Sequence, residues 1–228
     1  MSSQIRQLFE SAGGEFVLSE GEIAERLSKV KGYVFDWDGV FNDGSKGSVQ
    51  GSNFSEPDSM GLNLLRFSHY LVHGQLPYVC ILTGANNPTA ITFAEREHLN
   101  NIFLRFKDKL EAAKMIQEEQ GIMVGELAFF YDDVLDLSLA RNSVLPICMR
   151  TRSKPMFNDF VARNQLSAYN SGSPGGQGAV REVCELLIAL RGNFEQVMDG
   201  RIGLSETYQT YWKLRNADPV KVVDRTTL

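Results

Sequence analysis

Five short apolar runs constrain this chain most: YVF (33–35), YVCIL (78–82), IFL (102–104), LAFFY (127–131) and VLPIC (144–148). Each is nearly continuous rather than alternating, and rich in aromatic and branched residues. That pattern suits strands covered on both faces, as in a parallel sheet. The segments between them read as helices. Asn87 and Pro88 are an N-cap and a first-turn proline opening PTAITFAEREHL. Asp108 and Glu111 form a capping box ahead of KLEAAKMIQEEQ, with Gly121 as its stop. Strand and helix alternating in this way predict an α/β fold built on a doubly wound, Rossmann-like parallel sheet.

The flanks read differently. Ser19 and Glu22 make a capping box for an amphipathic helix that carries Ile23, Leu27 and Val30 on one face, with Gly32 as its stop. Ile5, Leu8 and Phe9 suggest a shorter helix before it, ended by Gly13 and Gly14. The loop SGSPGGQGAV has neither the glycine spacing of a phosphate loop nor a strand directly before it. It reads as an irregular entry to a helix whose apolar face is Val180, Val183, Cys184, Leu187 and Leu190. Tyr208, Tyr211 and Trp212 have helical spacing and are expected to anchor the last segment. The predicted organisation is an N-terminal helical extension (1–31), a catalytic domain (32–192) and a C-terminal tail (193–228).

Composition narrows the partners. A net charge of −5 without a basic stripe argues against nucleic acid. No apolar run approaches the roughly 18 residues that span a bilayer, and the first residues lack a secretory apolar core, so no membrane and a cytoplasmic location are expected. Cys80, Cys148 and Cys184 are far apart, without zinc-ligand spacing, and read as buried core.

A doubly wound sheet places its chemistry beyond the carboxyl ends of its strands. Directly after the runs stand Asp36 and Asp38, then Thr83 and Gly84, then Asp132 and Asp133, while Lys109 opens the helix after the third run. Carboxylates, a hydroxyl, backbone amides and one Lys form a hard-oxygen site of the kind Mg²⁺ prefers, with Asp36, Asp38 and Asp132 as candidate ligands. Asp36 can act as nucleophile and Asp38 as general acid and base. Thr83 and Gly84 can hold phosphoryl oxygens, and Lys109 can neutralise charge on the transferred group, with Lys107 as its rival. Asp133 and Asp136 can support the metal shell or cap the following helix.

The motifs DWDGV, ILTG, Lys109 and YDDVLD, in that order, resemble the four motifs of the haloacid dehalogenase superfamily of aspartyl phosphatases. With DGVFNDG, FSEPDSMGLNLL, DKLEAA and GGQGAVREVCELLI, the chain resembles the capless subfamily that includes 3-deoxy-D-manno-octulosonate 8-phosphate phosphatase. The resemblance implies a Mg²⁺-dependent phosphatase acting on a small-molecule phosphomonoester such as a sugar phosphate. It also implies no cap domain, a short β-hairpin insert after the first strand, and a homotetramer that covers the open site. Arg181 and its loop would lie near that site, in contact with substrate or a neighbouring subunit. The chain departs from the pattern at Ala85, where the subfamily usually has Arg, at Ser59 and Tyr131, where Gly is usual, and in the added tail after 205. Ala85 and the tail also motivate a second reading, a non-catalytic regulatory or scaffolding subunit for a sugar-nucleotide enzyme.

Overall fold

The computed structural model describes residues 3–46 and 53–228. Its strands are β1 (Glu15–Phe16), β2 (Gly32–Phe35), β3 (Tyr78–Leu82), β4 (Asn101–Leu104), β5 (Leu127–Tyr131), β6 (Leu145–Cys148), β7 (Tyr169–Asn170) and β8 (Lys221–Asp224). They form one sheet in the order β1-β7-β6-β5-β2-β3-β4-β8. Among the described residues only the β1–β7 pairing is antiparallel. Every residue of β2 to β6 is buried, as two-sided cover requires. The five apolar runs are these five strands, with ends shifted by at most one residue.

The helices are α1 (Gln4–Ser11), α2 (Glu20–Ser28), α3 (Glu56–His73), α4 (Pro88–Arg96), α5 (Lys109–Gln120), α6 (Leu137–Ala140), α7 (Pro155–Arg163), α8 (Ala179–Arg191), α9 (Phe194–Ile202) and α10 (Glu206–Arg215). Alternate strand residues feed two cores. Tyr33, Phe35, Val79 and Ile81 pack with residues of α2, α3, α4 and α8. Val34, Cys80, Leu82 and Phe129 pack with residues of α5, α6 and α7. The chain therefore runs β2, β3, β4 across one face and returns through α5 to β5, on the far side of β2. Strand order reverses between β2 and β5, the kind of switch point at whose carboxyl ends doubly wound sheets place their sites.

Local chemistry explains most boundaries. Ser19 Oγ accepts from the Glu22 N–H at 3.3 Å while Glu22 accepts from the Ser19 N–H at 2.9 Å, so the capping box of α2 is complete. Gly32 does not stop that helix; α2 ends at Ser28, and Gly32 is the first residue of β2. A Cβ on Gly32 would come within 2.9 Å of the Leu127 side chain, so close strand packing explains the glycine. Asp108 caps α5 through the Leu110 N–H at 3.0 Å, but Glu111 pairs with Arg225 at 2.9 Å instead of closing a box. The hairpin expected after the first strand falls mainly on 47–52, outside the described residues. Ahead of it, Asn42 Oδ1 accepts from the Gly44 N–H at 2.8 Å and turns the chain.

Both ends of the chain enter the sheet. Residues 1–31 supply β1 at one edge, and 193–228 supply β8 at the other, paired with β4. Within α10, Tyr208 and Tyr211 are buried against Phe67, with ring centroids 4.9 and 5.2 Å away. Tyr211 Oη donates to Asn63 Oδ1 at 2.7 Å, and Asn63 Nδ2 donates to Tyr208 Oη at 3.1 Å. Trp212 stays partly exposed, so two of the three aromatics do the anchoring. The three cysteines are buried and unpaired. No described helix is long and apolar enough to cross a membrane.

One buried histidine gives the fold a pH dependence. Arg191 donates to Tyr33 Oη at 2.5 Å, and Tyr33 Oη lies 3.3 Å from His69 Nδ1, which leaves the hydroxyl proton for the imidazole. That arrangement needs a neutral His69. Burial, reinforced by Arg191 and His73, lowers its pKa from 6.5 to about 3. The unfolded chain takes up this proton below pH 6.5 and the folded chain does not, so stability falls as pH drops, by about 1.4 kcal/mol per unit. We expect His69→Asn, which keeps an acceptor in place, to flatten urea-denaturation stability between pH 6.5 and 4.5. Parallel curves for the two proteins would refute the assignment.

Candidate active site

β2 and β5 lie side by side and deliver carboxylates to the same end of the sheet. The backbone N–H of Asp36 donates to Phe130 O of β5 at 2.9 Å, so Asp36 continues the ladder of its strand and stays buried. Asp132 directly follows Tyr131, the last residue of β5, and is buried as well. Gly39 lets the turn after β2 pass close to Asp132: its φ is +84°, and a Cβ there would fall 2.1 Å from Asp132 Oδ2. Gly175 allows the loop before α8 to pack onto that turn, where a Cβ would meet Gly39 O at 2.0 Å.

Asp36, Asp132 and Asp136 each place a carboxylate oxygen within 4.8 Å of the others. Lys109, the first residue of α5, reaches in with its Nζ 2.5 Å from both Asp36 Oδ1 and Asp136 Oδ1. Asp136 is turned inward because its Oδ2 accepts from the N–H groups of Asp133, at 3.1 Å, and Asp132, at 3.3 Å. Asp133 lies at the mouth, caps Val134 at 2.7 Å, and pairs with Lys154 at 2.9 Å. Lys154 also donates to Asp132 Oδ2 at 2.6 Å.

Charge in this cluster is not balanced. Burial pushes the Asp36 carboxyl up to about 8; Lys109 pulls the other way, and the neighbouring Asp136 and Asp132 add to the rise. Burial likewise raises Asp132 to about 6 in spite of Lys154. Burial works against the charge of Lys109, but Asp36 and Asp136 outweigh it and hold its pKa above the ordinary value. Lys109 thus stays charged, yet one ammonium shared between two carboxylates cannot compensate both. Three buried carboxylates from adjacent strand ends are a donor set that fits a divalent hard cation.

Asp38 contributes no oxygen to that cluster. Its Oδ2 receives Asn87 Nδ2 at 3.0 Å and Lys46 Nζ at 3.0 Å, while its Oδ1 is buried without a hydrogen-bond partner. Thr83 is buried after β3, with Gly84 next to it in the turn that leads into α4. Thr83 Oγ1 accepts from Asn87 Nδ2 at 2.8 Å and from the Ala85 N–H at 3.3 Å. Arg181 is on α8. Its N–H donates to Asp58 at 2.8 Å, its side chain pairs with Glu185 at 2.5 Å, and it lines a groove shared with Ile5, Leu8 and Phe9 of α1.

Two residues at this site do not figure among the sequence candidates. Asn87 holds the N-cap position but makes no capping bond, because its amide goes to Thr83 and Asp38. Lys154 lies just beyond the fifth apolar run, and the strand-end rule applied to VLPIC would have pointed to its loop.

No protein-family model matches the chain. Solved structures with the same architecture do exist. One is a 3-deoxy-D-manno-octulosonate 8-phosphate phosphatase from Moraxella catarrhalis in complex with magnesium, phosphate and a KDO molecule. It is 26% identical with a TM-score of 0.66, over 79% of this chain and 98% of that one. Another is a provisional HAD superfamily (subfamily III A) hydrolase from Legionella pneumophila, 25% identical with a TM-score of 0.66, over 80% and 95% of the two chains. The structures this chain resembles are haloacid dehalogenase superfamily hydrolases. A third structure of this haloacid dehalogenase fold, the cobalt-bound deoxy-D-mannose-octulosonate 8-phosphate phosphatase from Haemophilus influenzae, has 20% identity and a TM-score of 0.62. It matches over 78% of this chain and 98% of its own. In the haloacid dehalogenase frame, DWDGV follows β2, ILTG spans the end of β3, Lys109 opens α5 and YDDVLD begins on the last residue of β5.

Proposed function

We propose that the chain is a divalent-metal-dependent phosphomonoesterase that works through an aspartyl-phosphate on Asp36. One observation carries the reading: Asp36, Asp132 and Asp136 converge around Lys109 at the switch point of the sheet, with more negative charge than the protein neutralises. Mg²⁺, held by Asp36 and Asp132 with Asp136 and Asp133 in support and Asp38 as a further candidate ligand, would screen the nucleophile from an anionic phosphoryl group. Asp36 attacks phosphorus while the bond to the leaving oxygen breaks, and Asp38 gives that oxygen a proton. Asp38 then takes a proton from water, the water oxygen attacks phosphorus, and Asp36 is released with orthophosphate. Thr83 and Gly84 hold phosphoryl oxygens, and Lys109 offsets their charge.

The substrate class we assign is a sugar phosphate such as a 3-deoxy-ulosonate phosphate, in keeping with the ligands of the Moraxella structure. Ala85 removes a side chain that could bind an acidic sugar, so this site reads the phosphate more strongly than the sugar. A cytoplasmic homotetramer, in which a neighbouring subunit covers the open rim and meets Arg181, completes the reading. Purified protein is expected to release orthophosphate from a panel weighted to sugar-acid phosphates with Mg²⁺, to stop on chelation and to resume when Mg²⁺ is restored. The same sample should sediment as a tetramer. No hydrolysis across the panel would favour the regulatory-subunit reading, and a monomer would remove the proposed cover.

A further inference from the structure

A cavity of about 720 Å³ lies on the β6 side of the rim, between the segment that follows β6 and the loop before α8. Its charged lining is Arg150 and Arg152, joined by the neutral polar side chains of Thr151, Asn158 and Gln177. Among the described residues no carboxylate lines it, in a chain whose net charge is −5. A concavity of this size with a few convergent polar groups suits a small molecule, and the sign of its charge suits an anion.

Both walls are fixed, and both belong to the active-site rim. Thr151 O accepts from the Lys154 N–H at 3.3 Å and from Asn158 Nδ2 at 2.8 Å, while Thr151 Oγ1 accepts from the Ser153 N–H at 3.3 Å. Arg152 is thereby held at the corner of a tight turn, and Lys154, which ends that turn, pairs with Asp132 at 2.6 Å. On the other wall, Glu182 accepts from the Gly172 and Ser173 N–H groups, each at 2.8 Å, and Gly175 packs against the Gly39 backbone, next to Asp38. The two guanidiniums differ. Arg150 is committed to the wall itself, through Glu15 Oε2 at 2.9 Å and Gly13 O at 2.6 Å. Arg152 is exposed and makes no hydrogen bond or ion pair with a described residue.

We propose that this cavity binds a carboxylate of the substrate and that Arg152 selects for it, an inference that rests on the phosphatase reading. With Glu15 offsetting Arg150, one guanidinium is left to pair, which matches the single charge of a carboxylate better than the near-double charge of a second phosphate. Position sets the length of the substrate. β6 is the second strand from β2 and neighbouring strands lie about 4.8 Å apart, so a group held at the end of β6 sits roughly 10 Å from Asp36. The substrate is then a phosphorylated sugar acid with phosphate and carboxylate at opposite ends of its carbon chain. The carboxylate takes no part in bond making; it orients the chain so that the phosphoryl group meets Asp36.

Arg152→Ala is expected to fold as the wild type does, since the side chain is exposed and unpaired. Its effect is read as a ratio of kcat/KM on an acidic and a neutral substrate in one preparation with Mg²⁺, so the amount of active protein cancels. We expect kcat/KM on a 3-deoxy-ulosonate phosphate to fall between about tenfold and a hundredfold, mainly through KM, and kcat/KM on a neutral hexose phosphate to fall less than about threefold. Arg152→Lys, which keeps the charge without the planar fork, should recover part of the loss. Equal losses on the two substrates, no loss on either, or a larger loss on a hexose bisphosphate than on the acid each overturn the Arg152 assignment alone. So does a wild-type protein that hydrolyses the hexose phosphate and not the acid. A wild-type protein that hydrolyses none of them overturns the phosphatase reading, and this assignment with it.

Discussion

Asp36→Asn is expected to lower turnover by a factor on the order of 10⁴ or more while the protein stays folded. The two halves of this outcome have separate causes. An amide oxygen is not a nucleophile toward phosphorus, so no covalent phosphoryl intermediate can form on residue 36. Stability hardly changes because burial already works against the ionised carboxylate, raising its pKa, and a neutral amide of the same size carries no such penalty. Lys109 keeps a partner in Asp136, 2.5 Å away. Steady-state kinetics with Mg²⁺ and urea denaturation in chelator check the two halves. Persistent hydrolysis in the variant would remove Asp36 from the mechanism.

Lys109→Met is the converse case. The side chain keeps its apolar length, but Asp36 and Asp136 lose the cation they share, and both are buried. Removing one partner of a buried ion pair typically costs about 3–5 kcal/mol, and that range is the loss expected in metal-free buffer at pH 8. The sign with pH follows from Asp36. Its folded pKa already lies above the unfolded value, and losing Lys109 raises it further. Below about pH 8 Asp36 is protonated in both folded proteins, so the part of the penalty that it carries sets in as pH rises through that value, where the wild-type carboxyl ionises and the variant's does not. Added Mg²⁺ should restore part of the loss, since it replaces the missing charge. A destabilisation below about 1 kcal/mol at pH 8, insensitive to Mg²⁺, would show that the lysine is dispensable to the charge balance.

The centre of the sheet is legible in the sequence because β2 to β6 are buried on both faces and so read as unbroken apolar runs. β1 and β7 are two residues each, too short to show a period, and exist because they pair with each other and β7 also with β6. β8 reads KVVD and is half solvent-facing; its pairing with β4 is a tertiary fact. The acidic rim is legible for a related reason, since a residue directly after a buried strand has a predictable place. Asn87 shows the limit of that logic. Its position before Pro88 specifies a cap, but its amide N–H groups turn instead to Thr83 Oγ1 in its own loop and to Asp38 Oδ2 from the end of another strand. Lys154 reaches Asp132 from a loop whose path depends on how β6 connects to α7.

The two outer strands set a timetable. A ribosome that has added residue 136 has supplied every carboxylate of the rim, yet β1 must still wait for its partner, since Glu15 pairs with Asn170. β4 keeps an open hydrogen-bonding edge for longer, until residues 221–224 bring Asp224 alongside Leu104. Unpaired edges of this kind recruit other chains during synthesis. β8, held by Lys221 on Glu119 and Arg225 on Glu111, covers the β4 edge and takes its place as the outer strand.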